Sequence, residues 1–457
     1  MTNTSSQSAQ AQPMLTHPGL LACTVTIALA GLLFGFDTAV ISGTTELLRA
    51  EFDLTPLWLG VTVSSALFGT LVGALFAGRP GDRYGSRDCL RALAVLYIVS
   101  ALGSAIAWDW ASLVFFRVIG GLAVGGSSAL APVYISEVAP AKHRGRLVAS
   151  FQFCVILGIL LAYVSNAIIS GFDMAPSAEW RWKFGIATLP SLVFMWLLMR
   201  IPNSPRWLIA KGRDDEARSA LNFIGLPQAQ AEAEIREVRG TLDKDSDTEK
   251  LSWTRHRKPI MLAILVAAFN QFSGINALLY YLNDIFAAAG GALSPDTQAI
   301  IIGIVNMIFT CVGLMLIDRI GRRTLLLIGS AGMTVSLVVA GLAMSGVLPG
   351  SMLLVALIVF IAFFAPGSGA VIWVYISEVF PTPVRGRGGA VGASSHWGFN
   401  AVIALIFPTI AAVSESIPFY FFAVMMAVQF VVVLAYFPET KGVSLEKMSE
   451  KLGVKMR

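Results

Sequence analysis

Apolar residues arrive along this chain in long runs separated by short polar segments: at 19–43, 57–78, 92–108, 112–135, 147–171 and 184–200, then at 259–288, 298–317, 324–345, 351–376, 389–412 and 417–437. A helix needs about twenty such residues to cross a hydrocarbon layer of about 30 Å. Each run is therefore predicted to be a membrane-spanning helix. Residues 201–258 interrupt the series with a polar, helix-like stretch in which Asp214 is the expected N-cap of one helix and Gly225, before Pro227, its stop. The prediction is an all-α membrane protein of twelve transmembrane helices, with bundles at 19–200 and 259–437, a helical linker at 201–258, and tails at 1–18 and 438–457.

Composition agrees: 56% of the residues are hydrophobic and 13% charged, whereas soluble domains carry about 25% charged residues. A net charge of +5 would raise the question of nucleic acid in a soluble protein; here the placement of the basic residues answers it. Of the 33 Lys and Arg, 29 fall in the connectors after spans 2, 4, 6, 8 and 10 and in the C-terminal tail, three (Arg49, Arg181, Lys183) on the opposite side, and Arg117 inside span 4. Basic loops stay in the cytoplasm. The expected topology is a multi-pass protein of the cytoplasmic (inner) membrane with both termini and the linker inside, and no nucleic-acid partner. Residues 1–18 lack the Lys or Arg of a cleaved signal peptide and are expected to be a disordered tail. Cys23, Cys89, Cys154 and Cys311 are too scattered for a disulfide framework or a zinc site. His17, His143 and His256 lie in polar segments and are expected at the surface.

The two halves repeat each other. Val133-Tyr134-Ile135-Ser136-Glu137-Val138 recurs as Val374-Tyr375-Ile376-Ser377-Glu378-Val379, and Arg144-Gly145-Arg146 recurs as Arg385-Gly386-Arg387, both at an offset of 241. At an offset of 236, Asp82-Arg83-Tyr84-Gly85-Ser86-Arg87 matches Asp318-Arg319-Ile320-Gly321-Arg322-Arg323. Parallel six-span repeats with a substrate held between them are the architecture of a large class of alternating-access carriers. Asp82, Arg83, Glu137, Arg144, Asp318, Arg319, Glu378 and Arg385 stand at the cytoplasmic ends of spans, where ion pairs are expected to latch one lobe to the other in one state. Single exposed pairs are weak, so only a set of them would bias that equilibrium.

From about residue 20 to residue 445 the chain resembles the sugar porters of the major facilitator superfamily. The resemblance is carried by Gly35-Phe36-Asp37-Thr38-Ala39-Val40-Ile41-Ser42-Gly43, the two Asp-Arg loops, Arg117 to Gly121, Pro202-Asn203-Ser204-Pro205-Arg206, Gln271-Phe272-Ser273-Gly274-Ile275-Asn276 and Pro438-Glu439-Thr440-Lys441-Gly442. It implies a major facilitator fold and a carrier of monosaccharides, passive or proton-coupled. By resemblance the sugar-binding candidates are Gln152, Asn270, Gln271, Asn276, Asn306, Trp373, His396 and Trp397, with Phe34 and Tyr280 closing or lining the site. These residue types suit the task, since amides both donate and accept hydrogen bonds and an indole adds an apolar face to a donor. Gln271 and Asn276 are five apart, about 140° around a regular helix. A break near Gly274 is therefore expected.

Several positions depart from the family pattern. Ile159 and Asn270 stand where proton symporters often have Gln, Ala370 where Pro is usual, His396 where Asn or Gln is usual, and Asn203 where Glu is usual. These departures leave open whether the sugar is a hexose such as glucose, galactose or fructose, or a pentose such as xylose. Coupling rests on Asp37 and Arg117, since ionisable groups inside spans are functional by default. Paired with Arg117, Asp37 stays charged; drawn away from it in a dry site, it takes up a proton. The family's passive members tend to be neutral at this position, so the resemblance favours symport over a uniporter. A sugar sensor would want a longer tail, and a carrier of organic ions an unpaired charge in the cavity. No Walker motif, metal cluster or nucleophile with a base is visible. Neither an enzyme nor a cofactor is expected, and the carrier is taken as a monomer in the lipid bilayer.

Overall fold

A computed structural model describes residues 17–140, 143–242, 250–443 and 445–453; the tail expected at 1–18 lies, but for its last two residues, outside them. Among the described residues the regular structure is all helical. The membrane-spanning helices are numbered in chain order: α1 Pro18–Val40, α2 Pro56–Phe76, α3 Ser86–Ala105, α4 Trp110–Val138, α5 Arg144–Ser170, α6 Thr188–Leu198, α7 Arg257–Tyr280, α8 Pro295–Ile320, α9 Arg322–Met344, α10 Met352–Glu378, α11 Arg385–Val413 and α12 Ile417–Tyr436. Eleven of the twelve are long and apolar enough to span on their own. The exception is α6, where the chain forms Pro176–Gly185, turns at Ile186 and Ala187, and resumes as α6.

Local chemistry sets the helix starts. Thr55 and Ser294 accept the N–H of Trp58 and Thr297 and are followed by Pro56 and Pro295 at the first helical position, where a missing N–H costs nothing. Asp109 and Ser112 form a reciprocal capping box at the head of α4. Helices α2 and α4 approach so closely that a Cβ on Gly121 would sit 1.9 Å from the Ala66 carbonyl oxygen. Close backbone approach of this kind drives helix association where no water is available to be expelled.

The linker folds as Pro205–Ala210, Asp214–Phe223 and Gln228–Leu242. Asp214 proves to be the first residue of its helix, with Arg213 at the N-cap position and no side-chain cap, and its carboxylate pairs with Arg239 at 2.5 Å instead. Gly225 stops that helix with φ of 95°. His256 also departs from expectation. It is 1% exposed, with its ring nitrogen at 3.2 Å from the Ser252 backbone at the head of α7.

Apolar packing joins the lobes at one end only. One continuous core takes in the first six helices and the halves of α7 to α12 remote from the linker; a second, separate core holds the linker-side ends of α7 to α12 with Met448 and Leu452. The polar and close contacts between the lobes share this bias. Thr45 donates to Asp284 at 2.7 Å, Tyr163 to the Leu279 carbonyl at 3.2 Å, and Gly60 abuts the Leu405 carbonyl. The molecule is closed at the end opposite the linker.

Candidate functional site

Asp37 on α1 and Arg117 on α4 meet in the N-terminal lobe, with Nη1 donating to Oδ1 at 2.6 Å. Arg117 is 3% exposed, lies 5.3 Å from the centre of the Phe184 ring, and keeps its Nε buried without a partner in the protein. A bidentate, self-sufficient pair would use that nitrogen. This one does not, so Arg117 is held by one strong bond and has a donor in reserve.

The break near Gly274 is present. The first part of α7 ends at Phe272, Gly274 adopts φ of 84°, a left-handed conformation that glycine takes without a Cβ clash, and the helix restarts at Ile275. The kink turns Asn276 back so that its Nδ2 donates to Gln271 Oε1 at 3.0 Å. Gln271 Nε2 in turn lies 3.1 Å from the His396 ring, and His396 stands between Trp373, 4.9 Å away centre to centre, and Trp397 at 5.1 Å. Trp397 reaches the other lobe, its ring 5.6 Å from Phe34. Five of the sugar-binding candidates and one lining residue thus form a connected chain of amides and aromatics.

The other candidates are placed less directly. Asn270 flanks the chain, its Oδ1 accepting from Gln271 Nε2 at 3.3 Å while its Nδ2 donates to the Ser368 carbonyl at 3.1 Å. Asn306 is buried on α8 and accepts from Thr310, and Gln152 is half-buried on α5. Tyr280 exchanges hydrogen bonds with Asn400, a buried residue that sequence reasoning passed over although it sits one helical turn from His396. Ser368 and Gln429, joined at 3.2 Å, were likewise missed. They sit where α10 loosens into a π-helical turn at Ala365–Gly369 with Gly367 off the helix; such bulges in α-helices often mark functional sites.

A cavity of about 10 Å³ links the two parts, lined by Asp37 and Arg117 from one lobe and Tyr280 and Trp397 from the other, with Phe34 and Thr38 beside them. That is the room of about one water molecule. The ionisable pair and the aromatic end of the amide chain therefore share one wall.

The latch candidates make their contacts within their own lobes in this structure. Glu378 takes two bonds from Arg322, at 2.9 and 3.1 Å, and a third from Thr440 at 2.6 Å; Asp318 also faces Arg322, at 3.2 Å. All of these belong to the C-terminal lobe. Glu137 lies beside Ser204 and Arg206 of its own half. Arg385 donates to Thr382, Arg83 stacks on Tyr84, the Asp82 and Arg319 carbonyls accept from Trp207 and Lys441, and Arg144 is exposed at the head of α5. Each acid is held within one lobe because the linker-side ends of the lobes do not share a core.

Twelve spanning helices in two repeated halves, with polar residues gathered at the seam, define a carrier of the major facilitator fold. The chain belongs to the Sugar (and other) transporter family, whose profile matches residues 23–452. It is 35% identical over 444 residues to the arabinose-proton symporter of Bacillus subtilis (strain 168), covering 95% of each chain. It is 33% identical over 466 residues to the D-xylose-proton symporter of Escherichia coli (strain K12), covering 94% of this chain and 95% of that one. The inward-open conformation of the xylose transporter XylE from E. coli superposes with a TM-score of 0.84 at 32% identity, over 94% of this chain and 99% of that one.

Proposed function

We propose that this protein carries a monosaccharide into the cell together with a proton, by alternating access, with 19–200 and 259–437 as the moving lobes and 201–258 as their cytoplasmic linker. The carrying observation is the cavity that places the Asp37–Arg117 pair against Tyr280 and Trp397 of the opposite lobe. Gln271, Asn276, His396, Trp373 and Trp397 bind the sugar, with Gln152, Asn270 and Asn306 completing the set and Phe34 and Tyr280 lining it. The named symporters of arabinose and xylose among its relatives support both the sugar and the proton. The basic connectors support a cytoplasmic linker and cytoplasmic termini; in that orientation the state described is inward-facing, in keeping with its likeness to the inward-open transporter. We take the working unit to be a monomer.

The cycle follows from elementary electrostatics. With Asp37 charged, Arg117 is neutralised and held on α1. When Asp37 takes a proton the bond weakens, Arg117 is released, and the wall shared with Tyr280 and Trp397 is free to rearrange. A proton crossing 100 mV supplies about 2.3 kcal/mol, enough for a concentration ratio of about fortyfold. The test is uptake into proteoliposomes of labelled arabinose, xylose, glucose, galactose and fructose, with and without a pH gradient. Accumulation of one sugar that a protonophore abolishes, together with an Asp37→Asn variant that exchanges sugar but does not concentrate it, is the expected result. Equilibration without accumulation would make the protein a uniporter and Asp37 a packing residue.

A further inference from the structure

Helix α6 leaves Leu189, Leu192, Val193, Trp196 and Met199 exposed. Steps of three and four residues put them on one helix face, which in a bilayer is a stripe turned to lipid. At its end Arg200 lays its guanidinium on the Trp196 ring at 3.9 Å. Stacking uses the flat face of the group and leaves its in-plane N–H donors free. Among the described residues no carboxylate lies within ion-pair distance of Arg200.

The stripe runs into a cavity of about 330 Å³ between the end of α6 and the linker, walled by Arg87, Arg200 and Arg213 together with Met199, Leu208 and Phe223. Glu216 holds Arg213 through two bonds of 2.6 Å and Asp88 holds Arg87, so Arg200 is the guanidinium in that lining without a carboxylate, and it leaves the lining net positive. Arg87 is tied to Asp88 at 2.9 Å and to the Ile201 carbonyl at 3.1 Å, which holds it in place. An apolar stripe ending in a basic cavity matches a lipid whose acyl chain lies along the helix and whose phosphate enters the cavity.

We propose that this corner binds an anionic phospholipid of the cytoplasmic leaflet, its acyl chain on the Leu189–Met199 face of α6 and its phosphate on Arg200. The choice of leaflet rests on the orientation given under Proposed function; the binding does not. A free phosphate would meet the same arginine but would have no use for the stripe.

Mass spectrometry of the intact full-length protein released from detergent micelles, with phosphatidylglycerol or phosphatidylcholine added, tests it. The expected result is preferential retention of phosphatidylglycerol, about fivefold weaker in Arg200→Gln and unchanged in Arg257→Gln, which removes the same charge from the other lobe. Trp196→Ala should weaken retention as well. Equal retention of the two lipids, or equal loss in Arg200→Gln and Arg257→Gln, overturns the proposal. So does displacement of the lipid by inorganic phosphate with no effect of Trp196→Ala, which would make this a free-anion site. No sugar or gradient enters the measurement, so its failure leaves the transport reading standing; a reversed topology would show separately, as labelling of the linker from outside intact cells.

Discussion

The two linker-side corners of this molecule are copies that have been wired differently. In both, a tyrosine of the Val-Tyr-Ile-Ser-Glu-Val repeat donates to a proline carbonyl, Tyr134 to Pro202 at 2.7 Å and Tyr375 to Pro438 at 3.3 Å. In both, a glycine with strongly positive φ, Gly85 at 91° and Gly321 at 100°, starts the helix that follows. The backbone has been kept and the charges have not. Where the C-terminal corner has Arg322, Glu439 and Thr324, the N-terminal one has Ser86, Asn203 and Asp88. Glu439 accepts the backbone N–H of Arg322 and Arg323 at the head of α9, and Arg322 binds Glu378. In the other corner the acid has moved from loop to helix. Asp88 takes Arg87 and Arg91, each at 2.9 Å, and Asn203 donates to it at 3.2 Å. Glu137, the counterpart of Glu378, is left with Oε2 buried and unpartnered. Each corner has an acid at the head of its helix, at a different one of two equivalent positions.

The largest break in that comparison is to give the C-terminal corner the residue of the N-terminal one. Arg322→Ser strips Glu378 of its two guanidinium bonds while leaving the carboxylate partly buried, and removing one partner of a buried pair costs about 3 kcal/mol. The expected outcome is a clear fall in the thermal midpoint of the purified protein, with Arg319→Ser, a neighbouring arginine that does not reach Glu378, as the comparison. Equal effects of the two variants would show that the Arg322–Glu378 bond adds nothing beyond general charge.

A smaller effect sharpens the idea that the acid has moved. Asn203→Glu restores the residue usual in the family but sets a second carboxylate against Asp88. At about 4 Å and an effective dielectric of about 20 the repulsion approaches 4 kcal/mol. Arg87, Arg91 and solvent at the half-exposed Asp88 cut it to about 2 kcal/mol. Adding Asp88→Thr should then recover most of the loss, since the double variant has the Glu and Thr of the C-terminal corner and a single carboxylate again. Thermal midpoints of the two single variants and the double variant test this, and additive losses would mean that the two sites do not exchange roles.

How far sequence reading went follows from the same physics. The spans were legible because bilayer thickness imposes a length, and the repeat because its motifs survive nearly letter for letter. The Asp37–Arg117 pair stood out by opposite charge inside apolar runs, and the Gly274 break by a spacing that no regular helix could use. The wiring was not legible. Arg322 and Arg319 are neighbours in one basic loop, and only the turn at Gly321 decides which of them enters the corner and reaches Glu378. Asn400, Ser368 and Gln429 lie in helices that are apolar on every side, where no amphipathic face tells which polar residue looks inward. His256 was expected in solvent because its neighbours in sequence are polar; the fold buries it under the start of α7.

The smallest effect is one of pH, and it rests on Glu439 of the C-terminal corner. Burial by itself would raise the Glu439 carboxyl, but the backbone N–H groups of Lys441, Arg322, Arg323 and Thr440 outweigh it and hold the group below its ordinary value of 4.5. A carboxylate depressed in the folded state adds stability that is fully present above its unfolded value and fades as pH falls through the folded one. Acidification from about pH 4.5 downward should therefore cost the native protein part of its stability through this residue. Glu439→Gln should lower the thermal midpoint at pH 7 by the equivalent of about 1 kcal/mol, as loss of a helix cap does. The gap to the native protein should then narrow as the pH falls below 4.5, because the native carboxylate is protonated there and the variant has nothing to lose. Asn203, at the matching place in the N-terminal corner, carries no charge of its own. Parallel curves for Glu439→Gln and the native protein would show that Glu439 holds the head of α9 by shape rather than by charge, and the two corners would then differ in residues without differing in electrostatics.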